Sequence, residues 1–319
     1  MRGIAVAGTM LVDHLSTVPA YPKEGALVQI AAVSKAVGGC VPNVAVDLKR
    51  LCPALPVFAV GCVGSDADGT FITDTLSAAG VDTRYIRTLP HSATAHTQVI
   101  SVAGGQRTFF TYPGAAAQLC AADVPTDRLP VGLLHLGYLL LLEKIDAGDA
   151  RDILQAATDC GIKTSVDLVS EESDRYRQVL PFLPLVDYLI VNETEGGGLA
   201  GIAPTADNLP QIAAALLARG VREKVILHHR DGAVCCGRDG VTVLPALSLP
   251  TGYIKGTTGA GDAFCAGALL AVSRGLSDRD ILHYGRVAAA MSLRTTDATS
   301  GLAAIENYLT QGDTSCWSI

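Results

Sequence analysis

The stretch Gly256-Thr257-Thr258-Gly259-Ala260-Gly261-Asp262-Ala263-Phe264-Cys265-Ala266-Gly267 carries the strongest signal in this chain of 319 residues. Its small residues let the backbone approach a ligand closely, and the run Phe264, Ala268, Leu269, Ala271 and Val272 has helical spacing. A glycine-rich turn that feeds a helix presents unpaired N–H groups and the positive end of the helix dipole, which suits an anion. Asp262 in that first turn is either a cap, stabilising by ~1 kcal/mol, or a general base beside a bound phosphate. The segment by itself leaves both readings open.

Outward from this turn, short apolar runs alternate with amphipathic stretches. The spacing predicts strands over residues 4–8, 57–61, 133–137, 163–168, 188–191 and 224–228. Between them Val44, Leu48 and Leu51 form an apolar helix face opposite Asp47, Lys49 and Arg50, and Ile212, Leu216 and Leu217 form another that stops at Gly220. Strand–helix alternation over most of the length predicts an α/β fold with a largely parallel sheet covered by helices. Residues 14–36 and 91–112 break the rhythm with strand-like alternation and Gly or Pro turns. They are expected to pair into one small sheet over the carboxyl ends of the core strands, where open α/β sheets bind ligands.

Composition narrows the function. Hydrophobic residues make up 49% and charged residues 17%, which excludes a disordered or coiled-coil chain. The net charge of −7 comes without a basic run, so no nucleic-acid partner is expected. No apolar stretch approaches the ~18 residues of a membrane span. The apolar start is short and is cut by Asp13 and His14, so it reads as a first buried strand rather than a signal peptide. Nine cysteines are scattered without a C-x-x-C pair, and the adjacent Cys235 and Cys236 have poor geometry for pairing or metal binding. They are expected to be small core residues in a reducing, cytoplasmic setting. Walker-A glycines are missing. His229-Arg230-Asp231 lacks the rest of a protein-kinase catalytic loop, and Gly259-Ala260-Gly261-Asp262-Ala263-Phe264 has Phe where a dinucleotide fingerprint needs its third Gly.

Two further motifs sit at predicted strand ends. Val37-Gly38-Gly39-Cys40-Val41-Pro42-Asn43 is a second Gly turn entering a helix, and Asn43 is either an N-cap or a ligand-facing amide. Asn192-Glu193-Thr194-Glu195 follows a strand directly and in isolation reads as a cap. The three motifs in this order resemble the ribokinase-like (PfkB) family of carbohydrate kinases. Gly61 to Gly69, Gly80-Val81-Asp82-Thr83, Gly104-Gly105-Gln106-Arg107-Thr108-Phe109 and Pro113-Gly114-Ala115-Ala116 extend the likeness over nearly the whole chain.

The resemblance implies a ribokinase-like three-layer αβα fold, with a core of residues 1–13, 37–90 and 113–319 and a β lid of residues 14–36 and 91–112. It also implies ATP-dependent phosphorylation of a sugar hydroxyl. Asp262 would be the base, and the amides of Gly259, Ala260 and Gly261 the anion hole. Asp13, Gly38, Gly39 and Asn43 would hold sugar hydroxyls, with Arg107 a lid candidate for an acidic group. Asn192, Glu195, Gly232 and Thr258 would serve the nucleotide, Glu195 placing Mg²⁺ through water. A homodimer through the lid is expected.

The chain departs from that pattern in four places. Gly256 stands where the family usually has an Asp that helps build a monovalent-cation site, so weak or absent potassium activation is expected. Leu227 and His229 replace the usual Thr and Gly near the nucleotide, which leaves donor preference open. Gly196-Gly197-Gly198 is expected to delay the helix after Glu195, because each Gly costs about 1 kcal/mol relative to Ala in a helix interior. Cys40-Val41-Pro42 follows the glycines where relatives acting on sugar phosphates often carry Lys. A free ketose or pentose is therefore the leading acceptor. A nucleoside comes second, reduced by an aromatic content of only 5%, and a sugar acid third. A catalytically weak sugar- or nucleotide-binding regulator is the reading from another class.

Overall fold

In the computed structural model the described residues are 2–102, 107–171 and 174–309. In chain order they form β1 (Gly3–Gly8), β2 (Leu11–Val18), β3 (Ala32–Gly38), α1 (Cys40–Leu51), β4 (Val57–Gly64), α2 (Ala67–Ala78), β5 (Asp82–Leu89), β6 (His96–Val102) and β7 (Arg107–Tyr112). There follow β8 (Val131–Leu139), α3 (Ala150–Asp159), β9 (Lys163–Leu168), β10 (Tyr188–Asn192), α4 (Glu193–Ala200) and α5 (Leu209–Ala218). The last third contributes β11 (Lys224–His229), β12 (Gly232–Gly237), β13 (Gly240–Pro245), α6 (Ala260–Ser273), α7 (Asp278–Ser292) and α8 (Glu306–Leu309).

Nine strands make the central sheet in the order β13-β12-β11-β10-β9-β8-β1-β4-β5. From β11 to β5 every neighbour is parallel, and β12 and β13 extend the sheet antiparallel. Such a sheet is buried on both faces, and β1 has no exposed residue. Ile4 and Val6 point into one core with α1, α2, α6 and α7. Ala5 and Ala7 point into the other, with α3 and α5. The chain leaves β1 toward β4 and β5, then returns to its other side through β8. That reversal puts the switch point, where open α/β sheets bind ligands, between β1 and β8. There the backbones nearly touch: a Cβ on Gly8, whose φ is 145°, would lie 2.6 Å from the Gly137 carbonyl oxygen.

The two β-rich stretches pair into one separate sheet, ordered β3-β2-β6-β7. Its β2–β3 pair runs from Leu11 to Gly38, so Asp13 and Gly38 belong to the sheet itself. Register puts Asp13, Thr97, Thr111, Val99, Phe109 and Arg107 on one face and His14, Lys35 and Phe110 on the other. The second face rests on α2, where His14 Nε2 lies 2.6 Å from Asp68 Oδ2 and Lys35 Nζ sits 4.1 Å over the Phe71 ring. Every residue of β7 is exposed.

The predicted strands all form, each at or beyond its predicted limits. The expected delay at Gly196-Gly197-Gly198 does not occur: α4 starts at Glu193 and runs through all three glycines. A capping box offsets their helix cost, with Asn192 Oδ1 accepting from the Glu195 amide and Glu195 Oε2 accepting from the Asn192 amide. Packing requires the missing side chains. A Cβ on Gly198 would lie 2.4 Å from the Tyr176 ring and one on Gly196 would lie 2.7 Å from Leu227. The eight described cysteines are free, and six are buried; Cys316 lies outside the described residues.

Candidate active site

The three motifs meet at the carboxyl edge of the sheet. Gly259 caps α6 with a left-handed backbone, φ 78°, and lies so close to the 295–301 loop that a Cβ would fall 2.6 Å from Ala298 Cα. This sharp entry sets Asp262 in the first turn, pointing inward and 6% exposed. Asn43 reaches it from α1, donating from Nδ2 to Asp262 Oδ2 at 2.9 Å. The Tyr138 phenol donates to both carboxylate oxygens at 3.0 Å. Burial, followed by the negative charge of Asp167, raises Asp262 to about 7.

Glycine geometry also builds the wall that carries Asp13. Gly39 has φ 89°, and a Cβ there would strike the Thr9 carbonyl at 2.6 Å; a Cβ on Gly38 would lie 2.7 Å from Asp13 Oδ2. Asp13 therefore fits only because residue 38 has no side chain. Burial pushes its carboxyl up from the ordinary range. Arg107 shares the face of Asp13 but is exposed, four residues beyond Thr111, which pairs beside Asp13. Residues 104–106 of that hairpin lie outside the described residues.

A cavity of about 290 Å³ opens beside Asp262, lined among others by Tyr138, Asp167, Asn192, Glu195 and Gly261. Glu195 is 5% exposed, and burial raises it to about 7. Its Oε1 accepts from Ser170 Oγ at 2.9 Å and from Asn192 Nδ2 at 2.7 Å. The Asn-x-x-Glu motif is thus a helix cap and a cavity wall at once. A neighbouring cavity of about 680 Å³ takes its apolar lining from Leu247, Leu249, Ile254, Phe264 and Leu293. Gly232, His229, Arg230 and Thr257 also line it, whereas Thr258 is exposed on the turn beside it. His228 stacks on Phe264 with ring centroids 4.7 Å apart, and desolvation lowers it to about 4. Leu227 is turned into the core beneath Gly196, so of the two unusual residues only His229 faces this space.

Tyr138 and Asp167 do not stand out in the sequence. Tyr138, the last residue but one of β8, has φ 57°, a left-handed conformation that costs a bulky residue ~1–3 kcal/mol. Its amide donates to Asp167 Oδ1 across the β8–β9 edge. A polar residue at the carboxyl end of a parallel strand is the only signal that either leaves.

A family model described as pfkB family carbohydrate kinase matches residues 1–305. The chain belongs to the pfkB family. As a carbohydrate kinase it has distant relatives throughout its length. The ribokinase of Arabidopsis thaliana is 24% identical over 298 residues, covering 92% of this chain and 77% of that protein. The 2-dehydro-3-deoxygluconokinase of Bacillus subtilis (strain 168) is 26% identical, over 87% of each. The structure of Arabidopsis thaliana ribokinase complexed with ribose and ATP superposes with a TM-score of 0.84 at 22% identity, covering 97% of this chain and 99% of that one. The fold is therefore the ribokinase fold, a mostly parallel sheet between helices with a separate small sheet.

Proposed function

We propose that this pfkB kinase transfers the γ-phosphoryl group of ATP to a hydroxyl of a free ketose or pentose, with Asp262 as base. The observation that carries the reading is the convergence of Asn43 and Tyr138 on Asp262 at the glycine turn of α6. The acceptor oxygen bonds to the γ-phosphorus, the bond to the β–γ bridging oxygen breaks, and the hydroxyl proton passes to Asp262. The neutral Tyr138 phenol donates to the Asp262 carboxylate in the resting protein, and the acceptor hydroxyl displaces it there. Positioning and charge stabilisation supply most of the rate in phosphoryl transfer. The amides of Gly259, Ala260 and Gly261 serve the transferring phosphate. Ala260 N–H already makes a long 3.3 Å bond to the Thr257 carbonyl, so Gly259 and Gly261 contribute most.

Mg²⁺ fits the Asn192–Glu195 side of the 290 Å³ cavity, where the buried carboxylates Glu195 and Asp262 concentrate negative charge. Both Glu195 oxygens accept hydrogen bonds from the chain, so Glu195 and Asn192 would hold the ion through water. Held there, Mg²⁺ would supply charge neutralisation to the phosphates. The 680 Å³ apolar cavity suits the nucleoside end of ATP, with Gly232 and the Thr257-Thr258 turn at its rim. Potassium activation is absent in this reading. A Cβ on Gly256 would lie 2.9 Å from the Thr295 carbonyl oxygen, which leaves no room for a cation-binding side chain.

Asp13, the Gly38-Gly39 backbone and Asn43 form a hydroxyl-binding wall. Lys35 points to the opposite lid face, and Arg107 is exposed, which supports an uncharged acceptor over a sugar acid. A nucleoside is the second reading, because Phe109, 60% exposed, shares the Asp13 face of the lid and offers a base a stacking surface. Dimerisation through the lid is supported by Val33 and Phe110, which are 74% and 62% exposed. The deciding test is phosphoryl transfer from Mg·ATP across free sugars, sugar acids and nucleosides, beside Asp262→Asn. Turnover on a ketose or pentose that falls at least ~10²-fold in the variant is expected. No acceptor-dependent turnover, with ligand binding intact, moves the protein to the regulator reading.

A further inference from the structure

Behind Asp262, four side chains from four elements converge. Cys40 opens α1, His135 lies in β8, Asp167 in β9, and Cys265 three residues beyond Asp262 in α6. Cys40 and His135 are 0% exposed, Cys265 2% and Asp167 7%. One donor atom from each of Cys40, His135 and Asp167 lies within 4.8 Å of the others. His135 Nε2 is 3.4 Å from Asp167 Oδ2 and 3.7 Å from Cys265 Sγ.

The two His135 spacings match edges of a coordination tetrahedron, and the Cys265 thiol stands beside the Cys40–His135–Asp167 group, next to its imidazole. Metal–nitrogen and metal–oxygen bonds of about 2.1 Å and metal–sulfur bonds of about 2.3 Å place neighbouring ligand atoms about 3.4–3.8 Å apart. The outer shell is also present. His135 Nδ1 is 3.1 Å from Ser165 Oγ, which fixes the ring with Nε2 toward the other donors, as metal-ligating imidazoles are held. Room for the Cys40 thiol depends on a glycine: a Cβ on Gly137 would lie 1.8 Å from Cys40 Sγ. A buried His–Asp pair accounts for His135 and Asp167 but not for two thiols, from segments far apart in the chain, gathered beside the same imidazole.

We propose that Cys40, His135 and Asp167, with the Cys265 thiol drawn in as the fourth ligand, bind one thiophilic divalent cation of the zinc class, at a site separate from that of the nucleotide's magnesium. Two thiolates, one imidazole and one carboxylate form a four-coordinate set suited to zinc rather than to a hard ion. Both thiols lose their protons to solvent as the ion binds. Asp167 and Cys265 line the 290 Å³ cavity, which gives the ion its route from solvent. Bound, it ties the start of α1, directly after the Gly38-Gly39 turn, to the helix that carries Asp262.

The test is titration of the reduced full-length chain with Co²⁺ alone, read by absorbance. One equivalent is expected to give a near-ultraviolet sulfur-to-cobalt charge-transfer band with visible bands of tetrahedral intensity. Zn²⁺ should displace both. Cobalt in the magnesium position has no sulfur ligand and gives no such band. Cys265→Ser should weaken the band and Cys40→Ser/Cys265→Ser abolish it, while Cys160→Ser, at an exposed thiol, leaves it intact. Ser165→Ala keeps every donor and should weaken Co²⁺ binding about 10-fold or more, which guards against a thiol variant that fails to fold. Absence of the band in the parent chain, or a band unchanged in Cys265→Ser and in Ser165→Ala, overturns the site. The phosphotransfer reading is unaffected by either result, since its assay does not use the cobalt signal.

Discussion

At the scale of single residues, the proposed chemistry turns on carboxyl groups kept away from water. Asp262 stands at about 7 because burial and the Asp167 charge both oppose its ionisation. Activity on the acceptor should therefore rise with pH and level off above about 7. In the chelator-treated protein Asp167→Asn removes the like charge and should move that rise to lower pH, which pH profiles of kcat/KM will show. Gly259→Ala puts a Cβ 2.6 Å from Ala298 at φ 78°, so kcat should fall with the fold kept by circular dichroism. Asp47 tells a different story. It is 0% exposed, neither carboxylate oxygen has a hydrogen-bond partner, and burial, followed by the Asp262 charge, lifts its carboxyl well above the ordinary range. Asp47→Leu removes an unpaired buried group and should stabilise the protein at pH ~8 by ~1 kcal/mol or more, measured by urea unfolding.

At the scale of elements, α4 shows local rules overruled by contact. Three consecutive glycines predict a late helix, yet the Asn192–Glu195 capping box starts it at once and the glycines admit Tyr176 and Leu227. Gly198→Ala tests this directly. Helix propensity alone predicts a gain of about 1 kcal/mol, but a Cβ 2.4 Å from the Tyr176 ring predicts a loss of ~1–3 kcal/mol. Thermal melts should show the loss. The strands and the β-rich stretches were legible because period-2 and period-3.6 patterns are local. The role of Tyr138 was not legible, since its left-handed turn and its bond to Asp262 depend on residues 124 positions away.

At the scale of the whole molecule, the buried acids make stability depend on pH. Asp262 and Glu195 have ordinary values of 3.8 and 4.5 and are raised to about 7 in the fold. A raised folded value means that protonation favours folding. That stability is fully present below the ordinary values and is lost as pH rises through about 7. Urea midpoints should accordingly fall between about pH 4 and pH 7 and level off above it, and Glu195→Gln with Asp262→Asn should flatten the decline. Bound Mg·ATP should restore stability at the upper end, because a cation among these carboxylates favours their charged forms.

The sequence by itself determined the parallel α/β core, the second sheet, the glycine turns before α1 and α6, and Asp262, Asn43 and Glu195 as polar groups at strand or helix ends. Each of these is written in short-range periodicity or in a few adjacent residues. Only the tertiary structure decided which groups surround Asp262, which acids are desolvated, and that Cys40, His135, Asp167 and Cys265 share one buried space. The physical reason is that desolvation and coordination are set by what packs on every side. In this chain the packing partners come from β8, β9, α1 and α6, whose register no local pattern fixes.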